Sequence, residues 1–433
     1  MNKSTKSISK KGCIHSQTNA SNPHKYLGVV GSWSQEEKHA EKQERASAAT
    51  REIFYKGLGV TPDTTSLAYS IPTKEGMVES MTRADYPNFH VKARDMERVR
   101  QAMSDIMHAP AEKQLILSWE EFKELVNSKG GPGYASPFPE KFGTVIEQPE
   151  FKEAVYNTMR AIRSREFVPV IYTIQGKLEL KVRDQVADTA GAFTRKHYDK
   201  LVQIGIANPN DKESYFQGDL YTKARLISYL QNVMRAIETI NTHRAKEYIK
   251  KTGFLGNVYN MTPWELVEAR VKTDEYMSQN GHVYHVEGDS SKVDGHIGLC
   301  NSLVRKDFYK DYIQDEPLFS ALWDYTVSAP RIVQQLGYVW VGHPFGSGLR
   351  WTSILHSVFF AAITFLAAQQ TLRVTPEETK KMHGKIWDNE NQGDDIRVST
   401  TVKPHDFARN IKEEFEKQGH LIRYRKLEQC AVL

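Results

Sequence analysis

Cysteine is scarce. The chain of 433 residues has three, Cys13, Cys300 and Cys430, far apart and with no CxxC pair. A disulfide framework and a cysteine-based zinc site therefore have no support, and a reduced, intracellular setting is expected. Long apolar runs are also lacking. The most apolar tract, Ile354 to Ala368, is interrupted by His356, Ser357 and Thr364. It falls short of the roughly 20 residues that span a bilayer, so a buried helix is expected and any membrane attachment would come from a partner. The Lys- and Ser-rich start has no apolar stretch behind it, which argues against a secretory signal. No internal repeat is apparent.

What is present is the composition of an ordinary globular protein, 39% hydrophobic and 26% charged. The length suggests two or three compact subdomains. The net charge of +5 is unevenly spread: residues 151–251 hold 18 Lys and Arg against 11 Asp and Glu, while the rest is slightly acidic. A basic block of this kind suits a protein that grips phosphates with one part. On charge alone, a solvated helical surface explains it equally well.

Residues 1–50 are polar and read as a loose tail, with one exposed helix in the charged run Gln35–Arg51. Ser118-Trp-Glu-Glu121 is a capping box opening a helix with Trp119, Phe122, Leu125 and Val126 on one face, and Lys129-Gly-Gly-Pro-Gly-Tyr134 stops it. Phe167–Lys181, rich in β-branched and aromatic residues, predicts a hairpin. Leu226, Leu230, Val233, Ile237 and Ile240 follow helical spacing and predict one long helix from about Arg225. Val283–Val286 reads as a strand, Trp351–Ala368 as a buried helix, and Thr375-Pro-Glu-Glu378 as another helix start. Phe407, Ile411 and Phe415 define an amphipathic helix ended by Gly419, followed by a strand over Leu421–Leu427. Helices and short strands without a regular βαβ rhythm predict an α+β fold.

Three clusters carry chemistry. In Gly288-Asp-Ser-Ser-Lys-Val-Asp294, Asp289 falls at the end of the expected strand and Asp294 beyond a short turn. In Asn391-Gln-Gly-Asp-Asp-Ile396, a flat strand would aim adjacent aspartates to opposite faces, whereas a tight turn at Gly393 brings them together. Asp289 and Asp394 are then candidates to hold two Mg²⁺ ions, roughly 3.5–4 Å apart in two-metal enzymes. Between them, Gly346-Ser-Gly-Leu-Arg-Trp-Thr352 sets a glycine loop before the buried helix, where backbone can approach a nucleotide. Each cluster alone is ordinary: a GDD is usually a turn, and a glycine loop usually just a helix start.

Together, and in this order, they resemble motifs A (Asp289–Asp294), B (Ser347-Gly348 to Thr352) and C (Gly393-Asp394-Asp395) of the RNA-dependent RNA polymerases of positive-strand RNA viruses. Gly133-Tyr134 within GGPGYASPF is similar to motif G at the template entrance, and Lys223-Ala-Arg225 to the basic motif F. The resemblance spans about residues 115–430 and implies a right-hand fold. Its fingers would be helix-rich (51–270) and its palm an antiparallel sheet (271–433, with finger elements inserted near 305–345), and a largely missing thumb is expected. It implies Asp289, Asp394 and Asp395 as metal ligands for two Mg²⁺, with Mn²⁺ as a substitute. Asp294 would sense the ribose 2′-hydroxyl, and Ser347, Gly348, Thr352 and His356 would line the sugar and template-base pocket. Lys223 and Arg225 would neutralise phosphates, Gly133 and Tyr134 would line the template path, and Lys426 would be the general acid toward pyrophosphate. The implied partners are an RNA template with a primer or nascent strand, nucleoside triphosphates and other viral replication proteins, in the host cytoplasm or at a membrane reached through those partners.

Two positions depart from the family. His356 stands where it usually has Asn, and Trp387–Gln392, expected as an apolar strand before motif C, is mostly polar, so a short first half of that hairpin is expected. A reverse transcriptase and a non-catalytic RNA-binding polymerase fragment remain alternative readings; the glycine before the double aspartate and Asp294 favour RNA synthesis.

Overall fold

The protein is represented by a computed structural model that describes residues 25–29, 67–70, 91–177, 179–182, 225–259, 261–290, 299–333, 338–341, 348–393, 395–420 and 422–429. The expected tail helix at Gln35–Arg51 lies outside them. Its N-terminal part contains β1 (Lys25–Val29), β2 (Leu67–Ser70), α1 (Ala93–Asp105), α2 (Trp119–Glu124), α3 (Phe142–Val145) and α4 (Pro149–Arg163). There follow β3 (Tyr172–Lys177), β4 (Glu179–Val182), β5 (Arg225–Leu230), α5 (Asn232–Thr252), α6 (Pro263–Ser278) and β6 (Tyr284–Ser290). Next come α7 (Leu299–Tyr309), α8 (Glu316–Ser328), β7 (Pro330–Val333), β8 (Tyr338–Val341) and α9 (Thr352–Leu372). The last are α10 (Pro376–Met382), β9 (Trp387–Gln392), β10 (Asp395–Thr400), α11 (Pro404–Lys417) and β11 (Ile422–Gln429).

The chain is thus mixed helix and strand. Five strands form one sheet in the order β1-β8-β7-β3-β5, with β3 and β7 parallel and the other neighbours antiparallel. A second, fully antiparallel sheet has the order β11-β6-β10-β9. β2 and β4 pair separately.

Helix α9 is the centre of the core. Along most of its length its side chains are buried, and it packs on α1, α11 and the β9 edge of the second sheet. Phe360 stacks on Phe415 at 5.2 Å between ring centroids, and the Arg305 guanidinium lies over Phe359 at 3.7 Å. At its start, Trp351 stacks on Trp323 at 5.2 Å and meets Phe319 edge-on at 5.8 Å. By length and composition α9 is apolar enough to cross a membrane, yet 89% of its apolar stretch is buried inside the protein, as a core helix is.

The most specific short-range signals match the structure. Ser118 and Glu121 form the reciprocal capping box, as do Thr375 and Glu378. The amphipathic helix over Phe407–Phe415 and the strands around Val286 and Leu427 are present.

Three expectations are corrected. The helix expected from Arg225 is a strand followed by a helix: Arg225–Leu230 pairs residue for residue with β3, and α5 begins at Asn232. The four-residue step from Leu226 to Leu230 fits a two-residue period as well as a helical one, so spacing alone could not separate them. The hairpin expected over Phe167–Lys181 does not form. β3 and β4 are separated by one residue, too few for even a two-residue hairpin loop, and they join different sheets.

The third correction concerns Trp387–Gln392, a full six-residue strand paired along its length with β10. Asn389 and Glu390 are buried there with side-chain partners. Asn389 donates to the Thr364 hydroxyl at 3.1 Å and contacts His383 at 2.7 Å. Glu390 accepts from Arg270 at 2.7 Å and from Arg397 at 2.8 Å, and Arg397 also donates to Asp274 at 3.1 Å. Burial and the adjacent Arg397 lower the pKa of His285 beneath this network.

Removing Arg397 would leave two mostly buried carboxylates without their shared partner. Arg397→Met is expected to cost about 3 kcal/mol or more, measured by chemical denaturation; a loss within about 0.5 kcal/mol would show the network to be dispensable.

Candidate active site

The second sheet brings the two acidic segments together. In its register Asp289, next to the end of β6, is directly opposite Asp395, the first residue of β10. Such opposed Cα atoms in antiparallel strands lie about 4.5–5.5 Å apart. Gln392 pairs with Asp395 across the β9–β10 hairpin, leaving Gly393 and Asp394 as a two-residue loop. Gly393 has φ +65°, the left-handed backbone that such loops require. Asp394 itself lies outside the described residues, as do Asp294, Ser347 and Lys223. Asp395 is exposed at the sheet end. On the other side of β6, Lys426 of β11 is in register with Glu287, two residues inward from Asp289, beside an irregularity in the pairing.

The remaining candidate segments meet on the β5–α5 unit. Arg225 opens β5. At the β5–α5 junction, Gly133 takes φ +85° and presses its backbone on Gln231, where an added Cβ would come within 2.8 Å of the Gln231 Cα. The Gln231 side-chain amide donates to the Tyr134 and Ala135 carbonyls, each at 3.1 Å. The Tyr134 N–H donates to Thr173 Oγ1 at 2.7 Å, and the Asn232 N–H to the Pro132 carbonyl at 2.8 Å. Arg235 donates to the Gly131 carbonyl and lies over the Phe142 ring at 4.9 Å.

The glycine loop before α9 docks on the same unit. The Gly348 N–H donates to the Ser228 carbonyl of β5 at 2.8 Å, and the Arg350 N–H donates to the Glu238 carboxylate of α5. Glu238 is only 1% exposed, and burial pushes its carboxyl up to about 7. Thr352 is buried at the first turn of α9. His356, one turn on, is 5% exposed with its ring 6.2 Å from Phe360, the surroundings of a core histidine.

Helix α9 then reaches the acidic turn. Ser357 accepts the Gly393 N–H at 2.8 Å and donates to its own helix at the Ser353 carbonyl. Ser353 in turn meets the Tyr259 hydroxyl at 2.7 Å. One helix therefore joins the loop seated on β5–α5 to the turn beside Asp395.

Sequence reasoning missed Glu238, Ser357, Ser228 and Gln231. Glu238 left a signal: Met234, Glu238, Asn241 and Ala245 share one buried helical stripe, where a carboxylate is out of place. Ser357 and Gln231 left none, because their roles come from contacts distant in sequence.

Asp289 and Asp395 are register partners at one sheet end, and carboxylates are the oxygen donors a hard divalent cation takes. Among the described residues no group of three or more metal-binding side chains occurs. The expected set includes Asp394, which is outside them.

Two substitutions test this frame. In Gly348→Ala the new methyl would overlap the Ser228 carbonyl, and a cost of about 1–3 kcal/mol in thermal unfolding is expected. Ser357→Ala should speed amide exchange at Gly393 about tenfold while leaving β6 protected; unchanged exchange would break the link between α9 and the turn. No protein-family model and no curated protein matches the sequence.

Proposed function

We propose that this chain is an RNA-directed RNA polymerase of the positive-strand viral type, with the β11-β6-β10-β9 sheet as its palm and the β5–α5 unit in its fingers. The observation that supports this most is the pairing of Asp289 with Asp395, beside a glycine-led two-residue turn. Two acidic segments remote in sequence become neighbours there, as a site for nucleotidyl transfer needs.

Asp289 and Asp394, with Asp395, would hold two Mg²⁺ ions. Bound there, the ions supply charge neutralisation and activation of the attacking 3′-hydroxyl. The protein's own groups do the rest. Lys223 and Arg225 offset the triphosphate charge, and Asp294 accepts a hydrogen bond from the ribose 2′-hydroxyl. The loop from Ser347 through Thr352 presents backbone to the nucleotide and template base. The Gly133–Tyr134 loop guides the template, and Lys426 gives a proton to the leaving pyrophosphate. His356 supports this wall from the core.

Primer extension on an RNA template with Mg²⁺, comparing ribo- and deoxynucleotides, tests the reading. Asp394→Asn should lower the rate about a thousandfold or more with an unchanged unfolding curve. Asp294→Ala should lower the ATP over dATP preference in kcat/KM by about a hundredfold. Full activity in folded Asp394→Asn would exclude the metal assignment. DNA synthesis from deoxynucleotides at equal rate would favour a reverse transcriptase, and RNA binding without extension a non-catalytic module.

A further inference from the structure

Glu238 is the one carboxylate in the described core whose partner is the backbone of a candidate substrate loop. It lies in the middle of α5 at 1% exposure and accepts the Arg350 N–H, two residues before α9 begins. Gly348, two residues earlier, is tied by its own N–H to Ser228. The loop is thus held at two main-chain points, one by a strand carbonyl and one by an ionisable side chain.

The charged and titratable groups facing Glu238 come from each element around it. Arg235 and Lys246 lie on its own helix, and Arg350 on the loop. Among the described residues, the Tyr172 phenol of β3 and the Tyr309 phenol of α7 also face it. Burial raises the carboxyl from its ordinary 4.5 to about 7, so the folded protein takes up a proton there more readily than the unfolded chain. Stability from this group is therefore greatest below about pH 4.5, falls as the pH rises toward 7 and is flat above it. A glutamine would accept the same N–H without that penalty. What the carboxylate adds is charge: a stronger bond to Arg350 and compensation for three cationic neighbours.

We propose that Glu238 is a positioning residue, whose ionised carboxylate locks the Gly348–Arg350 backbone and thereby tightens the grip of that loop on the incoming nucleotide. The lock follows from the contacts above; the link to nucleotide binding rests on the polymerase reading. As the pH rises through neutrality the loop is held more firmly, although by then the protein has lost the stability that the protonated carboxyl contributes.

The test compares the full chain with Glu238→Gln, which keeps an acceptor without charge, and Glu238→Met, which keeps neither. Amide exchange at Arg350, corrected for its intrinsic pH dependence, reads the lock without any need for activity. Protection should fall about tenfold in Glu238→Met, with the β9–β10 hairpin unchanged. In wild type it should rise between pH 6 and 8, and in Glu238→Gln it should be flat. In single-nucleotide extension, KM for the nucleotide should be about fivefold higher in Glu238→Gln at pH 8, with kcat little altered and the pH slope of KM lost. Wild-type protection at Arg350 in Glu238→Met, or a wild-type pH profile in Glu238→Gln, overturns the proposal. Should Glu238→Met fail to fold, the Glu238→Gln profile decides. If the lock responds as expected but wild type extends no primer, Glu238 keeps its structural role and the polymerase reading falls instead.

Discussion

The hydrogen bond from the Gly393 N–H to Ser357 fixes the distance between two parts of the candidate site that the chain builds separately. One part is the end of an antiparallel sheet, where Asp289 and Asp395 are in register. The other is the β5–α5 unit, which carries both the glycine loop and the Gly133–Tyr134 loop. Helix α9 spans them, and its burial on nearly every face leaves it little room to shift. A packed helix of this kind acts as a strut, because interiors at crystal-like density do not deform gradually. The aromatic socket of Trp323, Phe319 and Tyr309 around Trp351 secures the end nearest the loop.

Placing polar groups inside this frame has a cost, met in two ways. Along β9, Asn389 and Glu390 are buried with side-chain partners, so desolvation is offset by directed hydrogen bonds and ion pairs. At Glu238 the offset is incomplete, and the raised carboxyl is its signature. Strain against stability at such a point is expected where geometry serves binding more than folding. The exposed apolar residues of α6, Trp264, Val267 and Val271, belong to neither scheme.

Elements set by short-range chemistry were legible in the sequence. The capping boxes at Ser118 and Thr375, the buried helix after Trp351 and the amphipathic helix through Phe407 depend on residues a few positions apart. Strand β5 was not, because Leu226 and Leu230 fit both periods and only pairing with β3 decides between them. The fates of β3 and β4 and the length of β9 were hidden for the same reason: partners such as Thr364, Arg270 and β7 are remote. In the candidate site, motif order nominates the aspartates, the glycine loop and the basic residues as candidates, while the pairing of Asp289 with Asp395 comes only with the fold. Ser357, Gln231 and Ser228 act through fold-dependent contacts with main chain that the sequence does not show, and Glu238 shows only as a carboxylate in a buried stripe.

On the polymerase reading proposed above, the sheet end at Asp289 and the Gly393 turn would hold divalent cations for nucleotidyl transfer. Anomalous scattering from crystals grown with Mn²⁺ and a non-hydrolysable nucleoside triphosphate tests it most directly. Metal density at Asp289 and Asp394, with the triphosphate beside it, is the expected result. Density elsewhere with these carboxylates bare, or nucleotide bound away from them, would contradict it.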